Sequence, residues 1–133
     1  IMRFIRPGLA VAEVTDDTED PEYDELQENL ARLRAARDAR GERLEIAVIK
    51  RPRWDRMPER GLEFSASYVN AYFPNGGIVM PLFGDRERDK AAVTLFARLE
   101  PTRRIVQIAT DAISEGGGGI HCCTMQIPRL PPA

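Results

Sequence analysis

Phe4-Ile5-Arg6-Pro7-Gly8-Leu9-Ala10-Val11 and Tyr72-Phe73-Pro74-Asn75-Gly76-Gly77-Ile78-Val79 decide the fold. Each is an apolar run broken by a proline-containing turn that ends in glycine, the pattern of two strands joined by a tight turn. Superimposing Gly8 on Gly76 places Phe4 on Tyr72 and Val11 on Val79, an offset of 68 residues. The segments that follow also correspond. Asp20 and Asp85, 65 residues apart, each stand before a run of helical periodicity, as capping residues do. After Asp20, with Pro21 in the first helical position, Tyr23, Leu26, Leu30 and Leu33 form one stripe. Acidic residues fill the first half of that helix and Arg32, Arg34, Arg37 and Arg40 the second, each sign matching its dipole pole, and Gly41 is the expected stop. After Asp85 the apolar positions are Ala92, Leu95, Phe96 and Leu99, and Pro101 prevents continuation. Residues 44–49 and 103–109 then read as strands. The chain therefore carries an internal ββαβ repeat, α+β in class.

The remaining stretches are read around that repeat. Residues 51–64 form a polar loop whose one tryptophan, Trp54, sits among Arg51, Arg53 and Arg56 and is expected to anchor the loop by packing. Residues 68–73 and 77–83 are the expected hairpin strands of the second unit, with Pro81 at an edge or strand end. Gly116-Gly117-Gly118-Gly119-Ile120-His121-Cys122-Cys123-Thr124-Met125-Gln126 then opens a third block as a single strand, and Pro128, Pro131 and Pro132 make an irregular tail. The boundaries are one partial domain, 1–133, divided into a repeat unit 1–50, a loop 51–64, a repeat unit 65–110, a glycine loop and cysteine strand 111–127, and a tail 128–133. Two units and a fragment of a third leave open sheet edges, so the chain is expected to continue a longer protein or to pair with another chain.

Composition narrows the function. Of 133 residues, 43% are hydrophobic and 30% charged, which is globular, and the formal net charge of −2 implies no general attraction to nucleic acid or acidic membrane. No apolar run approaches the roughly 20 residues of a membrane span, and no signal-peptide pattern is seen. The two cysteines are adjacent and make a poor pair for stapling a loop, which suits a reducing, cytoplasmic compartment. One histidine and two neighbouring thiols lack the spaced ligand pairs of a zinc site, so no metal or other cofactor is expected.

The chemistry concentrates in the glycine–cysteine stretch. A glycine run permits close backbone approach, and a cysteine delivered from it is a candidate nucleophile, although most free cysteines are small buried hydrophobes. If residues 120–127 are a strand, side chains alternate: Ile120, Cys122, Thr124 and Gln126 lie on one face, and His121, Cys123, Met125 and Ile127 on the other, more apolar one. Cys122 is then the reactive candidate and Cys123 the structural one. His121 faces away from Cys122 and is a poor general base, because a Cys–His pair must meet at about 3 Å.

Gly116-Gly117-Gly118-Gly119-Ile120-His121-Cys122, followed by Thr124, Gln126 and Pro128, resembles the C-terminal signature of agmatine deiminases and bacterial-type peptidylarginine deiminases. Ser67-Tyr68-Val69-Asn70, Asn75-Gly76-Gly77-Ile78-Val79-Met80-Pro81, Phe83-Gly84-Asp85 and Arg3-Phe4 with Pro7-Gly8 resemble that family's internal blocks. The resemblance implies a pentein β/α-propeller, here an incomplete one of about two ββαβ units plus the first strand of a third. It implies metal-free hydrolysis of a guanidinium group, with Cys122 as nucleophile and Gly116, Gly117, Gly118 and Gly119 as a substrate-binding loop. It also places the family's acid/base histidine and a guanidinium-gripping acid in a His-x-Asp segment just before the position of Arg3-Phe4. The expectation is therefore the C-terminal two-fifths, roughly, of an enzyme converting agmatine and water to N-carbamoylputrescine and ammonia. Its partner would be a small guanidinium compound, with no nucleic acid or membrane, in a homo-oligomer or joined to its N-terminal part. Alternatives are a peptidylarginine or arginine deiminase, or a truncated, inactive binding or assembly module; alone, the chain is expected not to turn over agmatine.

Overall fold

The computed structural model describes residues 2–61 and 63–127. The first unit is β1 (Met2–Arg6), β2 (Leu9–Val14), α1 (Tyr23–Ala35) and β3 (Glu45–Lys50). β1 runs antiparallel to β2, and β2 parallel to β3, in the order β1-β2-β3. The second unit has β4 (Gly77–Leu82), α2 (Arg86–Leu99) and β5 (Arg104–Ala109), with β4 parallel to β5. The 68-residue offset read from the turns holds in space. β2 and β4 each start directly after a glycine in the left-handed region, Gly8 at φ 82° and Gly76 at φ 74°. The carbonyls of these two glycines accept equivalent hydrogen bonds from the first residues of the parallel partners, Glu45 N at 2.8 Å and Arg104 N at 2.9 Å.

The helices fit the expected stripes with shifted ends. Leu26 and Leu30 of α1 are buried; Leu30 packs with Ala12 and Val14, and Leu33 lies against that cluster. Asp20 does not cap α1, whose N-cap is Glu22 without a side-chain hydrogen bond. Asp20 Oδ1 accepts from Glu22 N at 2.9 Å in the turn ahead of the helix, and Pro21 also precedes the helix, which begins at Tyr23. The helix also stops at Ala35 and does not reach Gly41. Asp38 Oδ1 accepts from the backbone of Arg40 and Glu42, a local alternative to helical bonding that an aspartate readily offers. In α2, Asp85 caps as expected by accepting from Arg88 N, and Ala92 and Phe96 are buried.

One core joins the units. Val11 and Ile49 of the first pack with Ile78, Met80, Phe83, Ala92 and Phe96 of the second, together with Met57, Phe64 and Tyr68. The loop 51–64 is pinned rather than free: Arg51 is buried against Asp20 and Glu22, and Arg53 donates to Asp85 and Glu87. Trp54 anchors it only in part, edge-on to Phe64 at 6.5 Å and 40% exposed.

Two expected strands are absent. Residues 68–73 do not form a strand; their ladder is a single bridge, Tyr72 to Val79. The reason lies in where the donors go. Tyr68 N donates to the Glu13 carboxylate and Asn70 N to the Ser67 carbonyl, so the segment closes as a turn before it can extend a sheet. Residues 120–127 also fail to form a strand. His121–Cys123 is a single 3-10 turn, its bonds running from Cys122 N to Gly119 O, Cys123 N to Ile120 O and Thr124 N to His121 O. With no neighbouring ladder among the described residues, the segment satisfies its backbone locally. The cysteine strand of the 111–127 block is therefore a turn preceded by a short helix, α3 (Asp111–Ser114), and the proline tail 128–133 lies outside the described residues.

Asp89 holds the second unit's turn from beneath. It is buried and accepts from Tyr68 Oη at 2.8 Å, Phe83 N at 3.1 Å and Gly84 N at 3.0 Å. Asp89→Asn would turn an NH₂ group toward one of these donors, and the chain is expected to lose about 2 kcal/mol of unfolding free energy, measured by urea titration.

Candidate active site around Cys122

The glycine run has separate jobs along its length. Gly116 N and Gly117 N close the end of α3 on the carbonyls of Ile113 and Ser114, and Gly117 turns the chain at φ 75°. Gly118 lies beside Cys122, where an added Cβ would meet Cys122 Cβ at 3.6 Å, an ordinary contact. Gly119 is different. A Cβ there would fall 2.9 Å from Asn70 Cβ and closer still to the Asn70 carboxamide, so this glycine makes room for that side chain.

Asn70 is the residue that sequence reasoning passed over as a role. It stands in the Ser67-Tyr68-Val69-Asn70 block, and nothing in the spacing links it to a cysteine 52 positions away. In space its carboxamide bridges the cysteine turn. Nδ2 donates to Cys122 Sγ at 3.3 Å, and Oδ1 accepts from His121 N at 2.9 Å. The thiol of Cys122 is held below its ordinary pKa, first by the Asn70 hydrogen bond and then by backbone hydrogen bonding at Gly119, against a smaller opposing effect of burial. A donor aimed at sulfur favours the thiolate, which is the nucleophilic form.

The 3-10 turn overturns the alternation argument. Cys122 and Cys123 are both exposed free thiols, and Met125 and Ile127 are exposed rather than core. His121 does not lie on an opposite face: it lines the same cavity as Cys122. That cavity, of about 500 Å³, is bordered by Met2, Arg3 and Phe4 of β1, by Asn70, and by Gln126. Arg3 itself turns toward the second unit, donating to the Ala71 carbonyl and stacking 4.2 Å over the Phe73 ring. The distinction between Cys122 and Cys123 survives on another ground, the Asn70 contact, which only Cys122 makes among the described residues.

The site is thus an open cavity holding one hydrogen-bonded, thiolate-favouring cysteine. No helix among the described residues is long and apolar enough to cross a membrane. The chain is 41% identical over 129 residues to a Legionella pneumophila protein named "Putative agmatine deiminase", covering 97% of this chain and 37% of that one. It is 40% identical over 129 residues to a Streptomyces coelicolor protein of the same name, covering 97% and 38%. The solved structure of the agmatine deiminase of Enterococcus faecalis superimposes with a TM-score of 0.78 at 26% identity, over 91% of this chain and 37% of that one. The chain therefore spans a little over a third of the length of these relatives, and its ββαβ first unit and βαβ second unit are part of a pentein fold. The family model of the Porphyromonas-type peptidyl-arginine deiminases matches residues 1–128, the two units and the Cys122 turn together, and the chain belongs to that family.

Proposed function

We propose that this chain carries the nucleophile of a guanidino hydrolase whose substrate is agmatine, and that the nucleophile is Cys122. The observation that carries the reading is the Asn70 hydrogen bond to Cys122 Sγ at the edge of an open cavity. The thiolate attacks the guanidinium carbon and a C–S bond forms. The C–N bond to a terminal nitrogen breaks, and that nitrogen leaves as ammonia after taking a proton. Water adds to the resulting amidino carbon, the C–S bond breaks, and the thiol returns with release of the ureido product, N-carbamoylputrescine. A cationic substrate suits the site because a guanidinium close to sulfur further favours the thiolate. Gly118 and Gly119 would offer backbone close to the bound guanidinium, since neither projects a side chain beside Cys122. The names of the relatives support agmatine over larger substrates, and a soluble cytoplasmic enzyme is the corresponding setting.

The proton carrier is, on the family resemblance, the histidine of a His-x-Asp segment ahead of the position of Arg3 and Phe4. β1 bringing Met2, Arg3 and Phe4 to the rim of the Cys122 cavity supports that placement. His121 shares the cavity, so His121→Asn in the full-length protein separates the two carriers. The expected result is turnover within about threefold of the unsubstituted protein, since general acid–base groups contribute about 10²–10⁴-fold; a loss of that size would assign the role to His121.

The reaction itself is tested by incubating the full-length protein with agmatine, with free arginine and with an arginine-containing peptide, and quantifying ureido product and ammonia. Product from agmatine alone is expected. Preference for the peptide would transfer the reading to a peptidylarginine deiminase. A protein inert toward all three, with Cys122 still readily alkylated, would favour a binding or assembly role.

A further inference from the structure

β2 is buried along its whole length and reads Leu9-Ala10-Val11-Ala12-Glu13-Val14. A carboxylate at the fifth position interrupts an otherwise apolar strand, and burying one is costly unless it is used. The repeat does not ask for it. At the 68-residue offset the second unit has Pro81 in the same place. The Glu13 side chain is completely inaccessible, with Oε1 facing Arg51 Nε across 4.0 Å. Burial raises its pKa to about 7, and the Arg51 charge and the hydrogen bonds from Ser67 and Tyr68 work in the opposite direction.

Its remaining oxygen reaches out of the first unit. Glu13 Oε2 accepts from Ser67 Oγ at 2.9 Å and from Tyr68 N at 3.1 Å. These are the first two residues of the turn that ends in Asn70, whose own N–H closes on the Ser67 carbonyl at 3.3 Å. Asn70 then reaches Cys122. We infer that Glu13 is a positioning residue for the nucleophile: from the first ββαβ unit it fixes the Ser67–Asn70 turn, and through that turn it holds the Asn70 carboxamide on Cys122 Sγ. This rests on the reading of Cys122 as the activated nucleophile. It gives the buried carboxylate a use, and it makes the thiol's reactivity depend on the seam between the two units.

The test is the pH profile of Cys122 alkylation by iodoacetamide in the full-length protein, read peptide by peptide with Cys123 as internal reference. Asn70→Ala is expected to slow Cys122 at pH 7 by about tenfold, because loss of the donor to sulfur lowers the thiolate fraction. Glu13→Ala is expected to slow it similarly and to move the inflection upward, with Cys123 unchanged. Glu13→Gln, which keeps an acceptor for Ser67 and Tyr68, should restore most of the rate. Glu13→Ala added to Asn70→Ala should do nothing further, because both act on one hydrogen bond. Should Glu13→Ala fail to fold, Ser67→Ala removes one of the two links at small structural cost and should slow Cys122 alone, by a smaller factor.

An unshifted Cys122 profile in the folded Glu13 and Ser67 variants, with Asn70→Ala still effective, would overturn the inference and leave the nucleophile reading intact. Equal slowing of Cys122 and Cys123 would reduce Glu13 to a structural role and overturn it as well. A Cys122 no more reactive than Cys123 in the unsubstituted protein would discard the Asn70 explanation and the inference with it, leaving the nucleophile reading to agmatine turnover in Cys122→Ala.

Discussion

Cys122→Ala is expected to lower agmatine turnover by the full-length protein about 10⁴-fold or more, whereas Cys123→Ala should retain most of it. The size follows from the role. A nucleophile that forms the covalent intermediate has no substitute, and losses of that order accompany its removal in enzymes working this way. The contrast between neighbours follows from geometry. Both thiols are exposed, so accessibility does not separate them. What separates them is the Asn70 donor on Cys122 Sγ, which lowers that thiol's pKa. At neutral pH Cys122 should therefore alkylate faster than Cys123, and its advantage should shrink as the pH rises past the thiol range and both become thiolate. The two measurements are independent. Turnover surviving in Cys122→Ala would sink the nucleophile assignment, whereas equal alkylation rates would leave the assignment open to kinetics and discard the Asn70 explanation.

The sequence made the βαβ part of the repeat legible because it is written in local chemistry. Gly8 and Gly76 sit where the backbone needs positive φ, Asp85 caps where its side chain can reach Arg88 N, and Leu26, Leu30, Ala92 and Phe96 recur at the helical period. The failures share a cause. Residues 68–73 and 120–127 have strand-like composition, but a strand requires a ladder partner, and pattern cannot report where the donors go. At Tyr68 the donor goes to Glu13, 55 positions earlier in the chain; in the cysteine segment the donors close on the preceding three residues. The site inherits the same limit. Cys122 could be chosen from its glycine-rich approach, but the alternation used to choose it was not there, and Asn70, which does distinguish it, is a tertiary contact. Glu13 was equally unreadable: in sequence it is one acid in a run ending Glu-Val-Thr-Asp-Asp, and only the fold makes it the carboxylate buried within β2.

Gly119→Ala should lower agmatine turnover about a hundredfold, and Gly118→Ala should change it little. The two glycines are adjacent, equally small and equally part of the loop, so composition gives no reason to treat them differently. The difference lies in what a methyl group would meet. At Gly118 it would rest against Cys122 Cβ at 3.6 Å and Sγ at 3.8 Å, distances at which ordinary side chains pack. At Gly119 it would overlap the Asn70 carboxamide, with Asn70 Cβ only 2.9 Å away. One of the two must move. Asn70 is tied at its backbone to Ser67, and its Oδ1 holds His121 N at 2.9 Å, so it cannot rotate aside without giving up the bond that sets the cysteine turn. If the loop shifts instead, Cys122 travels with it, because Cys122 N is bonded to the Gly119 carbonyl at 3.1 Å. Either movement breaks the Asn70–Cys122 contact, and a displacement of about 1 Å at a reacting centre is enough for a hundredfold loss. The discriminating measurement is Cys122 alkylation in the same variant. It should slow along with turnover, because both depend on the Asn70–Cys122 contact. If Gly118→Ala is as damaging as Gly119→Ala, the glycine run is working through its backbone on the substrate, and the space reserved for Asn70 is not what Gly119 supplies.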